Sequence, residues 1–164
     1  MDEIIERLTG KYGVDRFLTG GCGAFAVALY MDLKCQGKNP VIVTILRKEP
    51  RCETEMEFDD YYDPVVSQCE TGSSVDIVSH VLVEVDGREY DARGEVSSEE
   101  WICETKDLLG PLINLDDDAW SIVRTQPEDP IAQLKHFDQN YCFNEPQSLL
   151  YMQLTDSAYS STTK

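Results

Sequence analysis

A chain of 164 residues can bury one substantial core and is short for two. Hydrophobic residues at 41% and charged residues at 27% give a globular balance, which excludes a disordered or fibrous chain. With 31 Asp and Glu against 14 Lys and Arg the net charge is −17, and no Lys/Arg cluster offers a footing for a phosphate backbone, so nucleic acid is excluded as a partner.

The acidity suits solubility, a basic protein partner, or imitation of the charge pattern of DNA. The cysteines, Cys22, Cys35, Cys52, Cys69, Cys103 and Cys142, contain no CxxC pair, so neither a zinc knuckle nor a dense disulfide scaffold is expected. The first residues, Met1 to Arg7, lack the basic start and apolar core of a secretory signal. No apolar run approaches the roughly 20 residues that span a bilayer, so no membrane partner is expected. Together these point to a reducing cytoplasm. The oligomeric state is not legible.

In chain order, Ile4, Ile5 and Leu8 recur at helical spacing and predict a short amphipathic helix ending at Thr9-Gly10. A glycine-punctuated stretch follows, from Phe17 through Gly20-Gly21-Cys22-Gly23. The run Ala24 to Met31 is apolar nearly all round and predicts a helix buried in the centre of the domain, closing near Gln36-Gly37. Val41 to Leu46 is β-branched and continuous, as a strand covered on both faces is. From Arg47 to about Ser74 the sequence turns acidic and irregular, around Glu57, Asp59, Asp60 and Asp63, which predicts a long surface excursion.

Val75 to Val85 and Arg88 to Ala92 form two strands joined by Asp86-Gly87, a strong signal for a two-residue hairpin turn. Further on, Ser97 or Ser98 caps a helix through Trp101 and Leu108. A strand is expected near Ala119 to Arg124, and Pro130 opens a helix through Leu134 and Phe137. The tail from Thr155 is expected to be frayed.

Chemistry concentrates in two places. Cys22 heads the buried helix with glycine on both sides, so the backbone can turn sharply and approach a substrate. A helix N-terminus favours thiolate over thiol, and its free N–H groups can hold an oxyanion. Against this stands the ordinary role of cysteine as a small buried hydrophobe. The hairpin supplies the counterweight. With Asp86-Gly87 in the turn, Val85 pairs with Arg88 and Leu82 with Asp91. His80, Leu82 and Asp91 then share one face, with His80 and Asp91 roughly 7–8 Å apart along the diagonal. Val81, Val83, Val85, Tyr90 and Ala92 fall on the opposite, core face. A carboxylate so placed can hold one imidazole nitrogen and leave the other for a thiol. His136 lies in a predicted surface helix, Ala132 to Phe137, and reads as incidental. No recognised ligand spacing makes Cys22, His80 and Asp91 a metal site, and no cofactor is expected.

The run Gly20 to Leu29 opening a helix, followed by the hairpin His80 to Gly94, resembles the catalytic core of the papain-like superfamily. That superfamily takes in transglutaminase-type cores, cell-wall cysteine peptidases and glutamine deamidases. The resemblance spans roughly residues 17–94 and implies roles for Cys22 as nucleophile, His80 as base and Asp91 as orienting acid. It implies an α+β domain over 1–154, with the Cys22 helix packed on an antiparallel sheet; the acidic stretch at about 47–74 reads from its own composition as an insertion without counterpart in the family, and 155–164 as a disordered tail. It also implies a thiol hydrolase or acyltransferase acting on an amide or peptide bond, with a protein or peptide substrate. Two papain features are missing. No glutamine precedes Cys22, and Ala24-Phe25 stands where papain has tryptophan. The alternative from a different class is a non-catalytic acidic protein that binds a basic protein surface.

Overall fold

The computed structural model describes residues 1–10, 12–50, 74–109, 117–140 and 146–160. The chain forms helices α1 (Asp2–Thr9), α2 (Val14–Leu18) and α3 (Cys22–Cys35), then strands β1 (Val41–Pro50), β2 (Ser74–Val85), β3 (Arg88–Asp91) and β4 (Gly94–Glu95). After these come α4 (Ser98–Leu109), a 3-10 turn at Asp117–Ala119, β5 (Trp120–Thr125), α5 (Pro130–Asn140) and α6 (Gln147–Ser160). The strands make one sheet in the order β4-β3-β2-β1-β5, antiparallel at every pairing. Mixed helices and an antiparallel sheet place the fold in the α+β class.

Helix α3 is the axis of the molecule. Its sequence carries apolar side chains on every side, and from Cys22 to Tyr30 every residue is buried. Ile5 and Leu8 of α1, Phe17 of α2, Leu134 and Phe137 of α5, and Leu150 and Leu154 of α6 pack around it. The sheet closes the remaining side with Ile42, Val81, Val83 and Val85. Asp32, the buried acid of α3, is satisfied by the Arg7 guanidinium of α1. The opposite face of the sheet carries a thinner cluster, Val43, Ile45, Leu82 and Val96, with Trp101, Ile102, Trp120 and Ile122 laid against it. Period-2 alternation along β1 and β2 therefore feeds two cores, and β1 is covered on both faces as its continuous apolar run predicts.

The hairpin forms in the predicted register. Val85 faces Arg88 and Val83 faces Tyr90, and Asp86 (φ 54°) and Gly87 (φ 77°) both take positive φ, as a type I′ turn requires. Ser97 caps α4 by accepting the Glu100 amide at 3.1 Å, and Asp129 caps α5 through the amides of Ile131 and Ala132.

Several boundaries differ from the sequence reading. Arg47 to Pro50 belongs to β1, because β2 pairs with that strand as far as Pro50 and β5 as far as Arg47, which carries it past the apolar run. The rest of the acidic stretch lies outside the described residues. At the other end, α6 continues to Ser160, past Thr155 where the tail was expected to begin. The signal was slight: Leu150 and Leu154, one turn apart, are the residues that α6 contributes to the buried core cluster. Helix α2 interrupts the glycine-punctuated stretch and buries Phe17 completely.

Candidate active site

Cys22 is the first residue of α3, as its sequence context predicts, and is 6% exposed. The sharp turn before it depends on Gly20, whose φ of 127° disfavours any side chain. The glycines flanking Cys22 are needed for a different reason from the one the sequence suggests. A Cβ on Gly21 would sit 2.8 Å from Leu150 Cδ2, and one on Gly23 would sit 3.0 Å from Phe137 Cδ2. Close packing by the Arg16 carbonyl of α2 and by side chains of α5 and α6, rather than backbone freedom, disfavours a side chain there.

His80 and Asp91 are each 1% exposed and meet as the hairpin register requires. His80 Nε2 lies 3.0 Å from Asp91 Oδ2. Beside His80 the β1–β2 ladder is irregular: Ile45 faces His80 and Leu46 faces Val78, which leaves Ser79 as an extra residue. A bulge of this kind bends its strand and re-aims the neighbouring side chain. Asp91 is held in turn by Arg93, whose amide donates to Oδ1 at 2.7 Å and whose Nε donates to Oδ2 at 3.1 Å. Arg93 also pairs with Glu104 of α4 at 3.1 Å.

Trp101 of α4 lies flat on the imidazole, with ring centroids 3.8 Å apart and an interplanar angle of 14°. Its indole N–H donates to Ser79 Oγ at 3.3 Å, and the Arg93 guanidinium sits 5.3 Å from the same ring. The start of α4 is fixed over the hairpin by Glu89, which accepts the Ser98 amide at 2.5 Å. Helix α4 thus works as a cap on the His80–Asp91 pair.

Electrostatics favour a charged pair. Burial is the largest influence on His80 and opposes its charge, yet hydrogen bonding and charge from Asp91 and Cys22 outweigh it and raise the pKa to about 9. Burial likewise opposes the charge of Asp91, but His80 and both contacts from Arg93 win, and the carboxyl falls below its ordinary range. Cys22 is near enough to act on the proton affinity of the ring. With Nε2 taken by Asp91, Nδ1 is the ring nitrogen left for the thiol, and it is buried without a formed hydrogen bond. A donor and acceptor that approach without full alignment are common at a site with no substrate bound.

The structure thus brings Cys22, His80 and Asp91 to one locality from α3, β2 and β3. His136 is exposed on α5, apart from it. Trp101, Arg93 and Gln147 were not anticipated as parts of the site. Of these only Arg93 left a trace in sequence, two residues after Asp91, where its amide can reach back to the carboxylate.

Two concavities among the described residues lie elsewhere. One, of about 640 Å3, is lined by Glu84, Glu89, Glu95, Glu99 and Glu100 with Arg88 and Arg124. The other, of about 240 Å3, lies between Thr44, Val123 and Phe137. Among the described residues, no group of three or more His, Cys, Asp or Glu side chains could hold a metal, and no helix is long and apolar enough to cross a membrane. No family model, curated protein or solved structure matches the chain.

Proposed function

We propose that the protein is a papain-like thiol hydrolase or acyltransferase acting on an amide or peptide bond of a protein or peptide substrate. The observation that carries this reading is a fully buried imidazole, pinned at Nε2 by a carboxylate, with a pKa of about 9 and the first residue of α3, Cys22, beside it. In this mechanism the Cys22 sulfur, its proton passed to His80, forms a bond to the carbonyl carbon while the C=O π pair moves to oxygen. The Cys22 amide holds that oxyanion. Collapse breaks the C–N bond as His80 gives its proton to the leaving amine, and a thioester remains. Water, or an amine in the transferase case, then attacks the thioester with His80 as base and restores the thiol. Asp91 keeps the ring oriented and stabilises its charge throughout.

The test is alkylation by iodoacetamide at neutral pH, read by peptide mapping. Cys22, although buried, is expected to react faster than the exposed Cys35 and Cys103, and His80→Ala is expected to slow it on the order of 100-fold. Equal or slower labelling of Cys22 would remove the enzyme from consideration.

A second reading is favoured by the charge of −17 and by the acid-lined concavity at the hairpin and the start of α4. There the protein binds a basic protein surface without catalysis, and Cys22→Ala leaves its biological effect unchanged.

A further inference from the structure

Resting on the thiol-acyl reading above, we propose that Gln147 is the positioning residue of the nucleophile turn. From the start of α6 its side chain caps α3 and keeps the Cys22 and Gly23 amides available to an acyl oxygen. Helices ordinarily begin on Ser, Thr, Asp or Asn, whose side chains satisfy the first free amides. Helix α3 begins on Gly21, which has no side chain to offer. The missing cap comes from 123 residues away: Gln147 Oε1 accepts the Ala24 amide at 3.0 Å. The other end of the same amide group, Nε2, donates to the Gly20 carbonyl at 2.7 Å.

Gln147 therefore clasps both sides of the turn, across the residue whose φ of 127° most needs holding. Its own backbone is fixed in turn. Asp138 of α5 accepts the Gln147 amide at 2.5 Å, the Ser148 amide at 3.1 Å and the Ser148 hydroxyl at 2.5 Å. Gln147 is fully buried, and its Oε1 would lie 3.1 Å from a Cβ on Gly23. The contact is as close as glycine permits.

The choice of glutamine follows from charge and valence. An aspartate cap would satisfy the same amide but bring a negative charge beside the nucleophilic sulfur and the position of a developing oxyanion. A carboxylate also has no N–H for the Gly20 carbonyl. A neutral amide does both jobs without opposing the sulfur. The Ala24 amide goes to Gln147 and the Phe25 amide to the Gly21 carbonyl. The clasp thus uses the third donor of the helix, the fourth opens the helix's own ladder, and neither takes the first two, those of Cys22 and Gly23. These are the donors nearest the sulfur and suited to an oxyanion.

The test compares two reactions of Cys22 in the full-length wild type, Gln147→Leu and Gln147→Glu. Iodoacetamide alkylates sulfur without developing an oxyanion. p-Nitrophenyl acetate acylates it through one: sulfur bonds to the acetyl carbon, the ester C–O bond breaks, p-nitrophenolate leaves, and water later releases acetate. In Gln147→Leu, acylation is expected to fall on the order of 100-fold, with alkylation changed by about threefold or less. In Gln147→Glu, which keeps the shape of the clasp and serves if the leucine variant does not fold, both reactions slow and acylation slows more. Equal losses in the two reactions, or none, would overturn the role of Gln147 while leaving the thiol chemistry standing. Wild-type Cys22 that is alkylated no faster than Cys35 and Cys103 would overturn the thiol-acyl reading, and this role with it.

Discussion

The two faces of the sheet are built to different standards. On one, α3 lies in a shell of helices with Leu29, Phe25 and Val27 essentially sealed from solvent. On the other, among the described residues, a small cluster sits under α4 and its half-buried Trp101. Cys22 belongs to the first face and projects from its most rigid element. His80 shares its side with the second and is covered by one aromatic ring. The nucleophile is held by the bulk of the core and the base by a local cap. On these grounds the cap is the part of the site whose adjustment disturbs the fold least.

That contrast can be broken at either face. The largest effect is expected at Leu29→Ala, which leaves a cavity beside α3 and should lower stability by roughly 2–5 kcal/mol in urea unfolding. A smaller value would mean that the helical shell collapses around the gap and is less rigid than its packing implies.

Next in size is a pH dependence at the junction of the faces. His80 has its pKa raised, so its contribution to stability is complete below the ordinary 6.5 and is lost as pH rises through about 9. The loss should be on the order of 3 kcal/mol for a ring so fully buried. Asp91 has its pKa lowered, so its contribution is complete above the ordinary 3.8 and fades as pH falls through its lower folded value. The stability gap between wild type and Asp91→Asn is therefore expected to be widest between 3.8 and 6.5 and to narrow on both sides. A gap that stays level from neutral pH to well above 9 would show that the pair does not form.

The smallest effect belongs to the cap itself. Trp101→Ala removes the ring stacked on His80 and should cost about 2 kcal/mol, less than a fully buried aromatic because Trp101 is half-exposed. It should also admit water to His80 and lower the rate of Cys22 alkylation across its pH profile. An unchanged profile would reduce α4 to a packing element.

How much of this was legible in sequence depends on how local the signal was. The all-apolar run after Cys22 and the β-branched run of β1 announce their burial by their own periodicity. Asp86-Gly87 sets the hairpin register, and that register alone predicts that His80 and Asp91 share a face. Residues whose role comes from a distant partner gave no such notice. Nothing around Trp101 says that its ring lies on His80, and nothing around Gln147 says that its side chain closes on Gly20 and Ala24. The glycines beside Cys22 look like freedom of the backbone in sequence, yet in the fold they are spaces reserved for Leu150 and Phe137.

Sequence by itself determined the elements and the pairing inside the hairpin, because periodicity, turn chemistry and capping act over a few residues. Only the tertiary structure decided which helix end receives which side chain, and therefore what surrounds Cys22 and His80. Hydrogen bonds such as that from Ala24 to Gln147 join residues 123 positions apart. A contact across that separation is specified by the packing of whole helices and leaves no pattern in either local stretch of chain.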